Sequence, residues 1–306
     1  MTQQLVRIGT RESELAVWQA DLVKRLLLEH GVDAELVYIK SDGDVDTSTP
    51  LYELGVQGIF TKTLDIALLH GRIDIAVHSM KDVPTQLAKG LKQAAVLKRA
   101  SYKDILVYKQ DDGFLSDTSG VAVIATSSIR RKAQWLHRYP KHEMVNLRGN
   151  VNTRLRKVEE HNWQGAIFAA AGLERINLRP AKSIDLEWML PAPAQGAIMI
   201  VCRENDEALI EMCMHLNDRD TAQCTLTERD FLRALLGGCS TPISALCRKS
   251  ENDLIFKGNV CSPDGIESIS IEKVFHKDTG DVGNQAAHEL LKDPIARKVI
   301  YKMQNG

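Results

Sequence analysis

The sequence predicts an α/β protein in which two lobes are joined by two chain crossings and followed by a small α+β module. Three observations predict it. Short β-branched runs recur, each giving way through a polar turn to a stretch with helical period, as in an open sheet of strand-turn-helix units. A proline-punctuated segment, Met189-Leu190-Pro191-Ala192-Pro193-Ala194-Gln195-Gly196-Ala197, precedes an apolar run at 198–202, so the chain leaves the first lobe and later returns to it. After Gly237-Gly238 the pattern changes to strands and a final helix. Two crossings of this kind permit closure about a hinge.

Residues 5–9 predict the first strand, and Ser13 the N-cap of a helix carrying Leu15, Trp18, Leu22, Val23 and Leu26 on one face. The turn Gly9-Thr10-Arg11-Glu12-Ser13 thereby joins a strand to a helix N-terminus, a natural anion site. A strand at 34–39 leads into a polar loop at 41–50, suited to a lid or a long connection. A helix at 60–69 precedes the strand 73–77, and Pro84 stops a helix from following directly. His78, Ser79, Lys81 and Asp82 crowd the carboxyl end of that strand, where ligands of open α/β sheets sit. The competing reading is an ordinary surface pair of Lys81 with Asp82. A strand at 93–97 completes the lobe.

A crossing strand at 104–108 opens the second lobe. There a strand at 121–125, the turn Thr126-Ser127-Ser128 and a helix at 129–138 are followed by a strand at 144–147, the turn Arg148-Gly149-Asn150 and a helix at 153–160. A third unit runs from 166–170 into Ala171-Gly172-Leu173-Glu174-Arg175. A cation in the first turn of a helix is disfavoured by the macrodipole, by ~0.3–1 kcal/mol at an exposed site. Arg130 and Arg131 occupy that position, which predicts a bound anion in the turn. From Arg130 to Lys157 there are nine Lys plus Arg and one acid, Glu143, a local charge of 9 − 1 = +8 in a chain of net −1. A basic surface face and a nucleic-acid patch beside Trp135 and Tyr139 are the rivals. Arginines at loop-to-helix junctions suit bidentate carboxylate capture, so a small polycarboxylate is favoured.

The third module is a helix at 221–236, strands at 254–260 and 269–275 and a helix at 284–291. Expected domains are 1–98 with 197–216, 103–192, and 219–306. All six cysteines lie from residue 202 onward, none in a C-x-x-C pair, and no pairing at metal-ligand spacing supports zinc. Cys202, Cys213, Cys224, Cys247 and Cys261 are expected to be small buried hydrophobes, whereas a Gly-Gly loop can carry the Cys239 thiol into a cleft. Cys239 follows a helix carboxyl end, where thiolate is not stabilised, so it suits a single attachment better than repeated turnover. A near-neutral chain of 306 residues, 44% hydrophobic, is expected to be a cytoplasmic monomer without nucleic-acid or membrane partners.

Taken together, these motifs resemble the porphobilinogen deaminase family over nearly the whole chain. The carriers are Gly9-Thr10-Arg11-Glu12-Ser13-Glu14-Leu15-Ala16 with Gln19, His78-Ser79-Met80-Lys81-Asp82-Val83-Pro84 and Thr126-Ser127-Ser128-Ile129-Arg130-Arg131. They continue with Leu147-Arg148-Gly149-Asn150-Val151-Asn152-Thr153-Arg154-Leu155, Ala171-Gly172-Leu173-Glu174-Arg175, Gln195-Gly196-Ala197 and Leu236-Gly237-Gly238-Cys239. The resemblance implies two lobes like those of type II periplasmic binding proteins, and a third domain whose Cys239 carries a dipyrromethane cofactor through a thioether. Four porphobilinogen molecules would then be condensed head to tail, with loss of ammonia, and released as a linear tetrapyrrole. It implies Asp82 as the catalytic carboxylate, with Lys81, Ser127, Ser128, Arg130 and Arg131 holding the cofactor. Arg11, Ser13, Gln19, Arg148, Arg154 and Arg175 would bind incoming substrate or the growing chain.

Three positions depart from the family pattern. Gly55-Val56-Gln57-Gly58-Ile59-Phe60-Thr61-Lys62-Thr63 has Gln57 where the family usually has lysine, and Ala125 and Ala194 stand where glycine is common. Each alanine is expected to alter hinge stiffness without loss of activity. The alternatives from other classes are a non-catalytic solute-binding protein for a small polycarboxylate, which leaves Cys239 without a role, and the ligand-sensing domain of a transcription regulator.

Overall fold

The computed structural model describes residues 5–40, 61–116, 120–235 and 241–305. The polar loop at 41–50, the departing segment as far as Phe60, and Leu236-Gly237-Gly238-Cys239 lie outside the described residues.

The chain starts as expected with β1 (Val6–Thr10), α1 (Glu14–Glu29), β2 (Ala34–Tyr38), α2 (Lys62–Leu69), β3 (Ile75–Ser79) and β4 (Leu91–Val96). It continues with β5 (Asp104–Tyr108), β6 (Val123–Ala125), α3 (Ile129–Arg138), β7 (Glu143–Val145), α4 (Val151–Glu160), β8 (Gly165–Ala169), α5 (Ala170–Glu174) and β9 (Ser183–Asp185). Then come β10 (Ile198–Arg203), α6 (Glu207–Met214) and α7 (Arg219–Ala234). The last part is β11 (Ile243–Ser250), β12 (Asp253–Cys261), β13 (Ser268–His276), α8 (Val282–Leu290) and α9 (Pro294–Asn305).

These strands form two five-stranded sheets and one of three, in a mixed α/β fold. The first sheet has the order β2-β1-β3-β10-β4 and the second β7-β6-β8-β5-β9. In both, three parallel strands are followed by one antiparallel strand and a last strand beyond it. The antiparallel member is in each case the strand that follows a crossing, β10 or β5. Strands covered on both faces read as continuous apolar runs, and accordingly Ile75 to His78 of β3 and Ile198 to Cys202 of β10 are buried.

The described residues divide into two compact units, one holding the first sheet and the other holding the second sheet together with the antiparallel β11-β12-β13. In the latter unit α7, α8 and α9 build a separate core around Phe231, Phe256 and Phe275.

Among the described residues β9, β11, α6 and α9 were not expected from the sequence, and the turn read at 171–175 is the short helix α5. The helix expected to be the last is followed by α9 because Pro294 starts it: proline tolerates the first helical position, where no N–H partner exists. Asp293 caps it, its carboxylate accepting from Ile295 N at 2.7 Å. α7 begins before Thr221 for a similar reason, since Asp218 Oδ1 accepts from Thr221 N at 2.8 Å.

Ala194 sits at φ 61°, fully buried, with its N–H donated to Glu228 Oε2 at 2.6 Å. A residue with a Cβ pays ~1–2 kcal/mol in this left-handed region, and glycine's extra unfolded-state freedom returns ~0.4–1 kcal/mol of that. Ala194→Gly is therefore expected to stabilise the chain by up to about 1 kcal/mol in urea or thermal unfolding; a lower midpoint would show that the backbone is unstrained there.

Candidate active site

In the first unit the turn after β3 is fixed on both sides. Met80 N donates to Ala197 O at 3.0 Å, and the Met80 and Val83 side chains are buried, which leaves Lys81 and Asp82 half-buried between them on a single 3-10 turn. Among the described residues Asp82 makes no hydrogen bond or ion pair. Its counterpart before the other end of β3 is treated oppositely. Asp74 receives Arg7 Nε at 2.9 Å and Arg7 Nη2 at 2.8 Å, with Arg203 at 3.3 Å. Burial pushes the Asp74 carboxyl up, but these guanidinium bonds outweigh it and hold it below the usual carboxylate range.

Arg11 and Ser13 follow β1, both half-buried, and Ser13 stands at the N-cap position of α1 in extended conformation without a side-chain cap bond. Gln19 is buried, its Nε2 donating to Ser79 Oγ at 2.9 Å, so it braces the end of β3. His78 is buried with no hydrogen-bond partner for Nε2 among the described residues. Burial, helped by the nearby Arg11 charge, pushes its pKa down to about 4.

The second unit assembles the basic turns. Ser128 caps α3 by accepting from Arg131 N, and Ser127 Oγ accepts from Leu147 N at 2.9 Å, which ties this turn to the next. There Asn150 caps α4 by accepting from Thr153 N at 2.9 Å, and Arg154 Nε donates to Gly149 O at 2.7 Å. Gly149 has φ 111°, and a Cβ on it would lie 2.7 Å from Thr153 Cγ2, so the turn needs glycine. Arg148 is buried, and Arg175 follows α5 with its pKa pushed down to about 10 by burial.

Arg130 and Arg131 do have an anion beside them, but it belongs to the protein. They are only 4% and 5% exposed, and both bind the fully buried Asp104 at the start of β5. Arg131 reaches Oδ1 through Nε at 3.0 Å and Nη2 at 2.7 Å, and Arg130 Nη1 reaches Oδ2 at 2.8 Å. The expectation that both guanidinium groups turn toward an external anion in the turn is thus corrected: Asp104 takes that place. Sequence reading missed it because Asp104 lies far upstream and its one signal is an acid opening an otherwise apolar strand. Two guanidinium groups on one carboxylate leave an excess of one positive charge, and Arg130 Nε is buried without a hydrogen-bond partner among the described residues. Burial pulls the Arg130 pKa down, and Asp104 acts in the opposite sense. Gln195 joins the cluster, its Nε2 donating to Tyr102 O at 2.8 Å and Asp104 Oδ1 at 2.9 Å.

Cys239 lies outside the described residues, while Cys202, Cys213, Cys224, Cys247 and Cys261 are free and buried as expected. Among the described residues no group of three or more potential ligands could hold a metal ion, and no helix is long and apolar enough to cross a membrane.

The His78 shift sets a pH dependence. Its folded pKa of about 4 lies below the ordinary 6.5, so between those values the unfolded chain binds more protons and stability falls as pH falls. Asp65, raised to about 6 chiefly by burial, acts in the opposite direction down to its ordinary 3.8. The difference between wild type and His78→Gln isolates the histidine: it is expected to change by up to about 3 kcal/mol between pH 6.5 and 4. Parallel stability curves for the two proteins would rule the buried neutral imidazole out.

Comparison with known proteins follows the same chain order. Residues 6–211 match the family model "Porphobilinogen deaminase, dipyromethane cofactor binding domain", and residues 222–292 match "Porphobilinogen deaminase, C-terminal domain". A porphobilinogen deaminase of Syntrophotalea carbinolica is 44% identical over 87% of this chain and 85% of its own length. The chloroplastic porphobilinogen deaminase of Oryza sativa is 40% identical over 94% of this chain and 83% of its own. A periplasmic substrate-binding protein of an ABC transporter from Coxiella burnetii aligns with 71% of this chain and 94% of its own at 14% identity, with a TM-score of 0.44. With the strand-end acid, the basic turns and both family models in one sequence order, the chain belongs to the porphobilinogen deaminase family.

Proposed function

We propose that the chain is a transferase that joins four porphobilinogen molecules head to tail with loss of ammonia and releases the linear tetrapyrrole hydroxymethylbilane. The observation that carries this reading is the half-buried carboxylate of Asp82, unpartnered among the described residues at the carboxyl end of β3. Breaking the carbon–nitrogen bond of an aminomethylpyrrole releases ammonia and leaves a cation delocalised into the ring. A carboxylate ~4 Å from that cation, at an effective dielectric constant of about 20, contributes roughly 4 kcal/mol, which corresponds to about 10³ in rate. Asp82 also accepts and returns protons between pyrrole nitrogen and leaving amine.

The donor set fits a dipyrromethane cofactor. Its acetate and propionate groups match the excess positive charge at Arg130 and Arg131 and the unfilled Arg130 Nε. Lys81, Ser127, Ser128, Arg130 and Arg131 would hold it, and Cys239 would attach it. When bound, the group supplies the pyrrole carbon to which the first substrate unit is joined. Arg11, Ser13, Arg148, Arg154 and Arg175 would bind the carboxylates of incoming and added units, with Gln19 acting through Ser79. Three domains, 1–98 with 197–216, 103–192 and 219–306, and a cytoplasmic monomer are parts of the same proposal.

Intact-protein mass tests it. The wild-type chain is expected to carry two linked pyrroles, and Cys239→Ala and Arg130→Leu to run as the bare polypeptide. Asp82→Ala is expected to keep the wild-type circular dichroism and melting temperature while turnover falls by about 10³. A bare wild-type chain that binds polycarboxylates reversibly would instead mark a non-catalytic binding protein.

A further inference from the structure

On α3, one turn after Arg130, the buried amide of Gln134 makes three hydrogen bonds. Its Nε2 donates to Leu190 O at 2.9 Å and to Ser244 Oγ at 2.8 Å, and its Oε1 accepts from Leu190 N at 2.9 Å. Leu190 belongs to the return crossing and the fully buried Ser244 to β11. The same Leu190 carbonyl accepts from Arg130 Nη1 at 2.7 Å.

With the N–H of one flanking peptide and the C=O of the other both held by one amide, neither peptide plane at Leu190 turns freely, so the acceptor in front of Arg130 is held still. Asp104 Oδ2, 2.8 Å from the same Nη1, completes the restraint. The guanidinium group is thus oriented by atoms that leave its buried Nε without a partner among the described residues. Nearby packing leaves the three elements little room to slide. Gly265, φ +76° in the turn between β12 and β13, would place a Cβ 2.6 Å from His137 N and 2.7 Å from Ala133 O. His137 Nδ1 and Gly265 O lie 2.9 Å apart, and Ala245 N donates to Pro191 O at 3.2 Å.

We propose that Gln134 is a positioning residue: through the Leu190 backbone it sets the Arg130 guanidinium for an anionic ligand. The ligand half of this inference rests on the proposed function; the orientation of Arg130 does not. Gln134→Met keeps most of the volume and removes all three bonds, whereas Ser244→Ala removes only the arm to β11.

Two measurements on the full chain decide it. Exchange of the Arg130 Nε–H with solvent, followed by nitrogen-proton NMR, is expected to be at least tenfold faster in Gln134→Met and within twofold of wild type in Ser244→Ala. Protein produced without access to porphobilinogen and then given it is expected to gain the two-pyrrole mass at least tenfold more slowly in Gln134→Met, and at the wild-type rate in Ser244→Ala. Equal Nε–H exchange in wild type and Gln134→Met, or slowing in both variants in proportion to melting temperature, overturns the inference and leaves Gln134 a packing residue. A wild-type chain that never gains the adduct sinks the proposed function alone, and the exchange comparison still decides on Gln134.

Discussion

The second unit depends on one buried carboxylate. Asp104 is fully enclosed, accepts from Arg131 and Gln195 and pairs with Arg130. Desolvating these charges is costly, and taking one partner from such a cluster typically costs ~3–5 kcal/mol because the remaining charge stays buried. The cluster ties together segments that are far apart in sequence: Asp104 opens β5 after the first crossing, Gln195 ends the second crossing, and the arginines start α3. The contact that offsets part of the charge at the start of α3 therefore also sets where both crossings meet their sheet.

Charge is balanced selectively along the chain. Asp74 is held by two arginines and belongs to the framework, whereas Asp82, eight residues on, has no partner among the described residues. Between them His78 is buried and uncharged at neutral pH. In the other unit the imbalance has the opposite sign, two guanidinium groups sharing one carboxylate. An unfilled acid and an unfilled excess of base are costs that a protein keeps where a ligand of complementary charge relieves them.

Much of this was legible because parallel strands and helix caps leave local marks. β5 and α3 were readable residue for residue, and Ser13 stands at the expected N-cap position of α1, although its side chain makes no cap bond. Partners that are distant in sequence were not. The macrodipole argument pointed to a bound anion beside Arg130 and Arg131, whereas the anion there is Asp104, and no pattern in one sequence connects them to it. Gln19 fell within the expected helix, yet nothing local shows that it turns inward to Ser79. β9 is three residues long, too short for a period, and the helix that starts at Pro294 carried no expectation at all. Glu228, which accepts backbone N–H groups from Ala194 and Cys247, carried no signal beyond being an acid in a helix.

The two sheets share a strand order but not a timetable. Every strand of the second lies between Asp104 and Asp185, so its pairing can finish as soon as that stretch has left the ribosome. The first sheet lacks the strand between β3 and β4 until Ile198–Arg203 has been made, and β4 has no other neighbour in that sheet. The segment translated first is thus completed second, and through the intervening synthesis it exposes two unpaired strand edges of the kind that chaperones shield and aggregation exploits.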